Sequence, residues 1–215
     1  MPTRFYMRAN LPAPNLAVGG AAFYAASERM GGSSSTTDGS EVALAQTNTV
    51  ASGTNIQWVS GAGSLTQWYS NPVVEAITIS GTITVNIRGL ESANNVNAGR
   101  GIFIQRTDSV GTVQSTILAD TTVPTVITEF TTTDAANGTA TYTPTSTAMS
   151  VGDRILIIIK VRNVGTMGAG SITGSFNGST SGVRGDTWVQ FNENIRTDNL
   201  GDTKTYEIIQ QGYYG

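Results

Sequence analysis

The chain has 215 residues, with 12 Lys and Arg against 15 Asp and Glu, a formal net charge of −3, and neither Cys nor His. The missing thiols and imidazoles exclude disulfides, zinc–thiolate sites and the Ser–His–Asp and Cys–His forms of catalysis. The charge gives no electrostatic footprint for nucleic acid, and no apolar run reaches the length of a membrane-spanning helix. We therefore expect no nucleic-acid partner, no membrane partner and no cofactor.

Hydroxyl side chains and glycine dominate the composition, with 32 Thr, 19 Ser and 25 Gly, whereas only 13% of the residues are charged. β-Branched Thr favours strands and Gly favours tight turns. A surface with so little charge suits a protein that lies against other protein rather than free in solution. The composition therefore predicts an all-β protein with protein partners.

The first 55 residues show no strong period and are predicted to form an extended N-terminal arm followed by loops. Prolines at positions 2, 12 and 14 push their preceding residues toward extended geometry. The large side chains of this arm have few local partners: Phe5, Tyr6, Met7, Phe23 and Tyr24. We expect them to pack on another copy of the chain or on a different protein, in a homo-oligomer whose first expected state is a trimer. We also expect the rest of the chain to fold without residues 1–30.

Residues 56–215 are predicted to form one β-sandwich domain, because the period becomes 2 there. In 73–88 apolar residues alternate with Thr, Ser and Asn, which predicts one long strand with a bulge or kink at Gly81. The stretch 153–163 is apolar on both faces at its middle and is predicted to be a central strand. Further strands are predicted at 101–107, 113–119, 124–131, 139–147, 171–177, 187–192 and 203–209. Short strands without a long helix between them predict an antiparallel, jelly-roll-like sandwich.

The composition leaves open catalysis by carboxylate side chains. A glycosidase needs only two carboxylates in one cleft. Most acidic residues of this chain, however, occupy turn positions, where Asp accepts backbone hydrogen bonds. No EF-hand spacing is present, and a calcium site assembled from separate loops stays open. We expect no enzymatic activity, no catalytic residues and no metal site.

Aromatic residues in the polar segment 57–70 are the candidate ligand site. Trp58, Trp68 and Tyr69 lie there among Gln, Ser and Gly, and an exposed aromatic platform of this kind would suit a sugar ring. The alternative is that both Trp side chains close the ends of the core, each with its indole N–H hydrogen-bonded. Tyr213 and Tyr214 pose a similar choice between docking on a neighbouring subunit and folding back on their own domain. Trp188 is expected to pack against a sheet.

Three segments carry a resemblance to a known group of proteins. They are PTRFYMRANLPAP at 2–14, VGDRILIIIKVRN at 151–163 and GDTWVQFNENI at 185–195. The pattern of the last consists of Gly185, Asp186, Val189, Phe191, Glu193 and Ile195. These segments resemble tailed-phage virion structural proteins of the jelly-roll or β-sandwich type.

The resemblance implies a place in a phage particle among other capsid or virion proteins, after synthesis in the host cytoplasm. We expect a capsid decoration (cement) protein, because the chain is short and lacks the coiled coil or shaft repeat by which tail fibres join a particle. The alternative is a tail or baseplate module that binds a glycan receptor.

Overall fold

The computed structural model describes residues 2–7, 28–31, 55–57, 67–87, 89–94, 98–119, 130–132, 139–163, 172–174 and 187–197. Within these ranges the chain forms fourteen strands and no helix, which confirms the predicted all-β class. Accordingly, the described residues contain no helix of the length and apolarity that a membrane crossing requires. The predictions for Phe23, Tyr24, Trp58, Tyr213, Tyr214 and the strand 203–209 lie outside the described residues.

The strand bounds follow the chain order. They are β1 (Thr3–Met7), β2 (Glu28–Gly31), β3 (Asn55–Gln57), β4 (Gln67–Tyr69), β5 (Ile77–Ile79), β6 (Ile83–Asn86), β7 (Gly89–Glu91), β8 (Ala98–Thr107), β9 (Val113–Leu118), β10 (Ala140–Tyr142), β11 (Thr147–Met149), β12 (Arg154–Asn163), β13 (Ile172–Gly174) and β14 (Trp188–Phe191). The stretch 139–147, predicted as one strand, is divided between β10 and β11, and Pro144 lies between them because it has no N–H to donate to a ladder.

Ten of these strands form one continuous sheet in the order β10-β6-β14-β1-β2-β4-β12-β8-β9, with β3 beside β12. Its pairs are antiparallel except β2 and β4, which run parallel. Side chains from β6, β14 and β1 share one core with side chains from β4, β12 and β8. The sheet therefore folds over itself as a sandwich, and β2 joins its two layers.

Strand β12 is the central strand of the second layer. It pairs along ten residues with β8 on one side and with β4 and β3 on the other. Its inward side chains join the main core. Its outward side chains form a smaller cluster with one residue from each flanking strand: Tyr69, Phe103, Leu156 and Ile158. The prediction of a strand covered on both faces is confirmed.

The stretch 73–88 forms two strands rather than the one predicted. β5 pairs with β11, whereas β6 pairs with β10 and β14. Between them the backbone N–H groups of Ser80 and Gly81 donate to Oε1 of Glu193 at 2.7 and 2.5 Å, so neither N–H serves a ladder. A Cβ on Gly81 would lie 2.8 Å from Cβ of Asn192, which explains the glycine. The predicted kink is the point at which the chain leaves one sheet for another.

Residues 3–7 form a strand inside the sheet, not an arm that leaves it. β1 pairs antiparallel with β14 on one side and with β2 on the other. The hydroxyl of Thr3 accepts a hydrogen bond from the backbone N–H of Ile195 at 2.7 Å, and the backbone N–H of Thr3 donates to the carbonyl of Glu193 at 3.0 Å. The division of the chain at residue 55 stays a prediction.

Phe5 and Met7 are buried in the core of their own chain. The ring of Phe5 meets the ring of Phe191 edge-on, with 5.9 Å between the centroids. Alternation along β1 turns both residues inward, so the expectation that they face another subunit is wrong. β1 supplies part of the core, and the expectation that the rest of the chain folds without residues 1–30 stays a prediction. The backbone of Tyr6 pairs with Trp188, and the role predicted for its side chain stays a prediction.

Candidate functional site

Two of the three residues predicted as a ligand platform are core residues. Trp68 is 2% exposed and Tyr69 is fully buried. They are successive residues of β4, which flanks β12, and each enters the cluster on its own face of that strand. The platform interpretation is therefore wrong for both, since both side chains are buried in the core. Trp58 lies outside the described residues.

Carboxylates at the turns hold the chain's own backbone, as the sequence predicts. Asp108 accepts hydrogen bonds from the backbone N–H groups of Val110 and Thr112 at 3.1 and 2.8 Å. Asp153 accepts one from the backbone N–H of Ser150 at 2.6 Å. Glu193 holds the break between β5 and β6 in the same way. Within the described ranges, no three acidic residues lie close enough together to hold a metal ion.

Two tight turns lie side by side at one end of the sandwich. In the first, the N–H of Gly111 donates to the carbonyl of Asp108 at 3.0 Å; in the second, the N–H of Asp153 donates to the carbonyl of Ser150 at 3.0 Å. Gly111 and Gly152 have φ of 94° and 93°, which is the left-handed region that glycine adopts without strain. Gly152 and Asp153 thus lie in a tight turn that precedes β12.

Side-chain contacts fix these two turns to the sheet. Nε of Arg106 lies 2.7 Å from Oδ2 of Asp153 and joins β8 to the second turn. Arg154 donates from Nε to the carbonyl of Ser109 at 3.2 Å and from Nη1 to the carbonyl of Ser70 at 3.0 Å. The N–H of Gly152 donates to the carbonyl of Val73 at 2.9 Å. Three chain segments are thus cross-linked at this end.

Each of these three segments exposes a valine. Val74 is 43% exposed, Val110 is 38% exposed and Val151 is 66% exposed. We call these three residues the valine end. Apolar side chains on a cross-linked framework can be covered by a protein neighbour at little cost in conformational entropy. The sequence gives no signal for this surface, because isolated valines at turns have no period.

A second surface lies on the outer face of β1 and β14. Nε and Nη2 of Arg4 donate to Oε1 of Gln190 at 3.0 and 2.7 Å. Cζ of Arg4 lies 3.9 Å from the ring centroid of Trp188, which is cation–π distance. We call these three residues the Arg–Trp surface. Trp188 therefore lies on a sheet, as expected, but on its outer face beneath an arginine.

Solved structures with some likeness to this chain are those of larger proteins. A CocE/NonD family hydrolase from Staphylococcus aureus has 8% sequence identity and a TM-score of 0.43, over 89% of this chain and 36% of that chain. An aminopeptidase from the marine sediment archaeon Thaumarchaeota archaeon has 9% identity and a TM-score of 0.47, over the same shares. A chain in the structure of the infectious bursal disease virus Gx strain has 15% sequence identity and a TM-score of 0.21, over 74% of this chain and 38% of that chain.

This chain spans little more than a third of each of those chains, and likenesses with such TM-scores assign it no activity. No protein-family model and no curated protein matches the chain.

Proposed function

We propose that this chain is a non-enzymatic structural protein of a phage particle, and specifically a capsid decoration (cement) protein that docks on protein neighbours. The observation that carries the proposal is the valine end, in which three cross-linked segments each expose an apolar side chain. Burial of apolar surface contributes about 25 cal/mol per Å². Exposed apolar side chains on a cross-linked framework therefore gain from contact with a shell and lose little mobility on binding.

Two further features support the proposal. The carboxylates of Asp108, Asp153 and Glu193 are committed to backbone N–H groups, which is a structural use of groups that a hydrolase would keep for its substrate. The resemblance of segments 2–14, 151–163 and 185–195 to tailed-phage virion proteins supports the choice of a phage particle as the location. The homo-oligomer, with a trimer as its first expected state, stays a prediction that light scattering of the purified protein would test.

The experiment is reconstitution on shells that lack this protein. Purified wild-type chain is added to such shells, and its occupancy and the melting temperature of the shell are measured. We expect wild type to bind and to raise that temperature. Val151→Asp should lower occupancy at least tenfold, because a charge would be taken out of water at the contact.

The matched control is Thr78→Asp, which adds the same charge at an exposed position of β5. It should bind like wild type. Equal occupancy of Val151→Asp and Thr78→Asp would contradict a contact through the valine end. Labelling that locates the chain on the tail would overturn the cement role in favour of the receptor-binding alternative.

That alternative, a tail or baseplate module for glycans, needs an aromatic ring with a free face. Trp68 and Tyr69 are buried, and the half-buried ring of Trp188 is covered on one side by Arg4. A glycan array with the purified chain would detect it.

A further inference from the structure

We propose that Arg4 is a recognition site for the carboxylate of an Asp or Glu side chain on a neighbouring protein. The site lies on the outer face of the sheet, where Gln190 and Trp188 hold the guanidinium in place. The choice of a protein as the partner rests on the proposed function. The carboxylate chemistry rests on the geometry of Arg4 alone.

The guanidinium has five N–H donors, and Gln190 uses two of them. Oε1 of Gln190 accepts from Nε and from one hydrogen of Nη2, so one edge of the guanidinium is taken. The other edge, formed by Nη1 and Nη2, has no acceptor within the described part of the chain. Two parallel N–H groups on one edge are the fork that binds a carboxylate through two hydrogen bonds.

The other arginines whose side chains are described have a charged partner or contact two chain segments. Arg106 pairs with Asp153, and Arg196 pairs with Glu75 at 3.3 Å. Arg154 donates to the backbone carbonyls of two different segments, from Nε and from Nη1. Arg4 differs because its one described acceptor is a single amide oxygen on one edge, which orients the guanidinium without neutralising it.

Orientation of this kind favours binding. An arginine that is free to rotate loses side-chain entropy when it pairs, and that loss offsets much of the gain at exposed ion pairs. Stacking on Trp188 and the two bonds to Gln190 order the side chain of Arg4 before any partner arrives. Pre-organisation lowers the cost of binding.

The surroundings of the fork favour a protein carboxylate over an acidic sugar. Arg4, Gln190 and Thr84 lie opposite one another on three neighbouring strands, so the fork stands on the outer face of paired strands. A sugar acid would gain from stacking on an open aromatic ring, but Arg4 already covers one side of the indole of Trp188. An oriented fork on an exposed strand face suits an acidic side chain on the surface of a neighbour.

The test is NMR titration of the full chain with two peptides at constant ionic strength. One peptide is acetyl-Gly-Asp-Glu-Gly-amide, and the other is its uncharged counterpart acetyl-Gly-Asn-Gln-Gly-amide. The signals followed are Nε–H of Arg4 and the indole N–H of Trp188. We expect a saturable shift of both signals with the acidic peptide alone.

Two variants sharpen the result. Gln190→Glu places a carboxylate where the amide oxygen now lies, so it should neutralise Arg4 internally and weaken peptide binding about fivefold or more. Arg4→Lys keeps the charge but loses the fork and should weaken binding about threefold or more. Thermal unfolding of each variant near the wild-type temperature shows that the fold is retained.

Equal shifts with both peptides, no shift with either, or unchanged binding by Gln190→Glu would each overturn the inference. A stronger response of the same signals to N-acetylneuraminic acid than to the acidic peptide would overturn the protein partner and indicate a glycan.

Shell reconstitution separates this inference from the proposed function. If wild type and Arg4→Gln occupy shells equally, the carboxylate site plays no part in docking and this inference fails while the cement role stands. If peptide binding depends on Arg4 but the chain binds no shell, the cement role fails and the carboxylate site stands.

Discussion

Strand β12 and the strand pair β1–β14 belong to the same sheet but use their side chains differently. Every side chain from Ile155 to Ile159 is buried, because one face of β12 joins the main core and the other joins the smaller cluster around Tyr69. On β14, Val189 and Phe191 are buried, whereas Trp188 and Gln190 lie on the outer face with Arg4.

This difference distinguishes residues that stabilise the fold from residues that can recognise a partner. Where a strand is covered on both faces, as at 155–159, its side chains are not available to a partner, so this part of β12 acts by holding its neighbours in place. A strand covered on one face contributes to the core with every second residue and to the surface with the others. The β1–β14 pair is therefore where a substitution can change binding without changing folding.

The largest expected effect is a difference in the free energy of unfolding between variants of two neighbouring residues of β14. Phe191→Ala should lower the free energy of unfolding by about 4 kcal/mol, because it leaves a cavity beside Phe5 in a fully buried site. Gln190→Ala, one residue away on the outer face, should cost less than about 1 kcal/mol. Urea unfolding of both variants measures the contrast, and similar losses would contradict the division of β14 into two faces.

Neighbouring residues of β12 should behave alike. Ile157→Ala and Ile158→Ala should each lower the free energy of unfolding by about 3 kcal/mol, because they face opposite but buried sides. The same urea titration measures both. If Ile158→Ala proves nearly neutral, the second cluster is not a packed layer and β12 resembles β14 after all.

Gly81→Ala should cost about 2 kcal/mol, because its new Cβ would overlap Cβ of Asn192 at 2.8 Å and force the backbone apart. Thermal unfolding measures the loss. The control is the double variant Gly81→Ala/Asn192→Gly, which removes the opposing Cβ and should show a favourable coupling between the two sites. Additive losses would assign the effect to the backbone of Gly81 alone.

The smallest effect on stability is expected at the Arg–Trp surface. Arg4→Gln should change the free energy of unfolding by less than about 1 kcal/mol, because an exposed cation–π contact and exposed hydrogen bonds contribute little. Its peptide binding should nevertheless be lost. A loss of several kcal/mol in the urea titration would mean that Arg4 holds the fold rather than a partner.

The sequence predicts structure best where the same pattern of burial repeats along a strand. The central strand at 153–163 is predictable because Ile155, Ile157 and Ile159 alternate with Leu156 and Ile158, and burial on two faces leaves that signature. The all-β class follows from the same periodicity and from the absence of a long helical pattern.

Contacts between distant residues explain what the sequence could not predict. The alternation in 73–88 continues across the break at Gly81, because the residues on both sides still face inward. The break itself depends on Glu193, whose carboxylate is 112 positions away from Gly81. The sequence around either residue contains no pattern that predicts this contact.

The prediction of a ligand platform at Trp68 and Tyr69 was wrong for a related reason. Polar neighbours of Trp68 and Tyr69 suggested exposure, but burial there is decided by β12, which pairs with β4 from a distant part of the chain. The outward face of β14 could have been read from the alternation of Trp188 and Gln190 with Val189 and Phe191. The partner Arg4, 186 positions away from Gln190, could not.

The pairing of β1 with β14 also sets how early the sheet can be completed during synthesis. Thr3 is hydrogen-bonded to Ile195 across 192 positions of sequence. A ribosome that adds about 5–20 residues per second needs roughly 10–40 s to pass from one to the other. During that time Phe5 and Met7 lack the strand that covers them, whereas the β8–β9 hairpin can already close. Such long-range pairing slows folding, so the pairing of β1 with β14 forms late, although β1 can pair with β2 before then. Phe5 lacks its contact with Phe191 until β14 arrives.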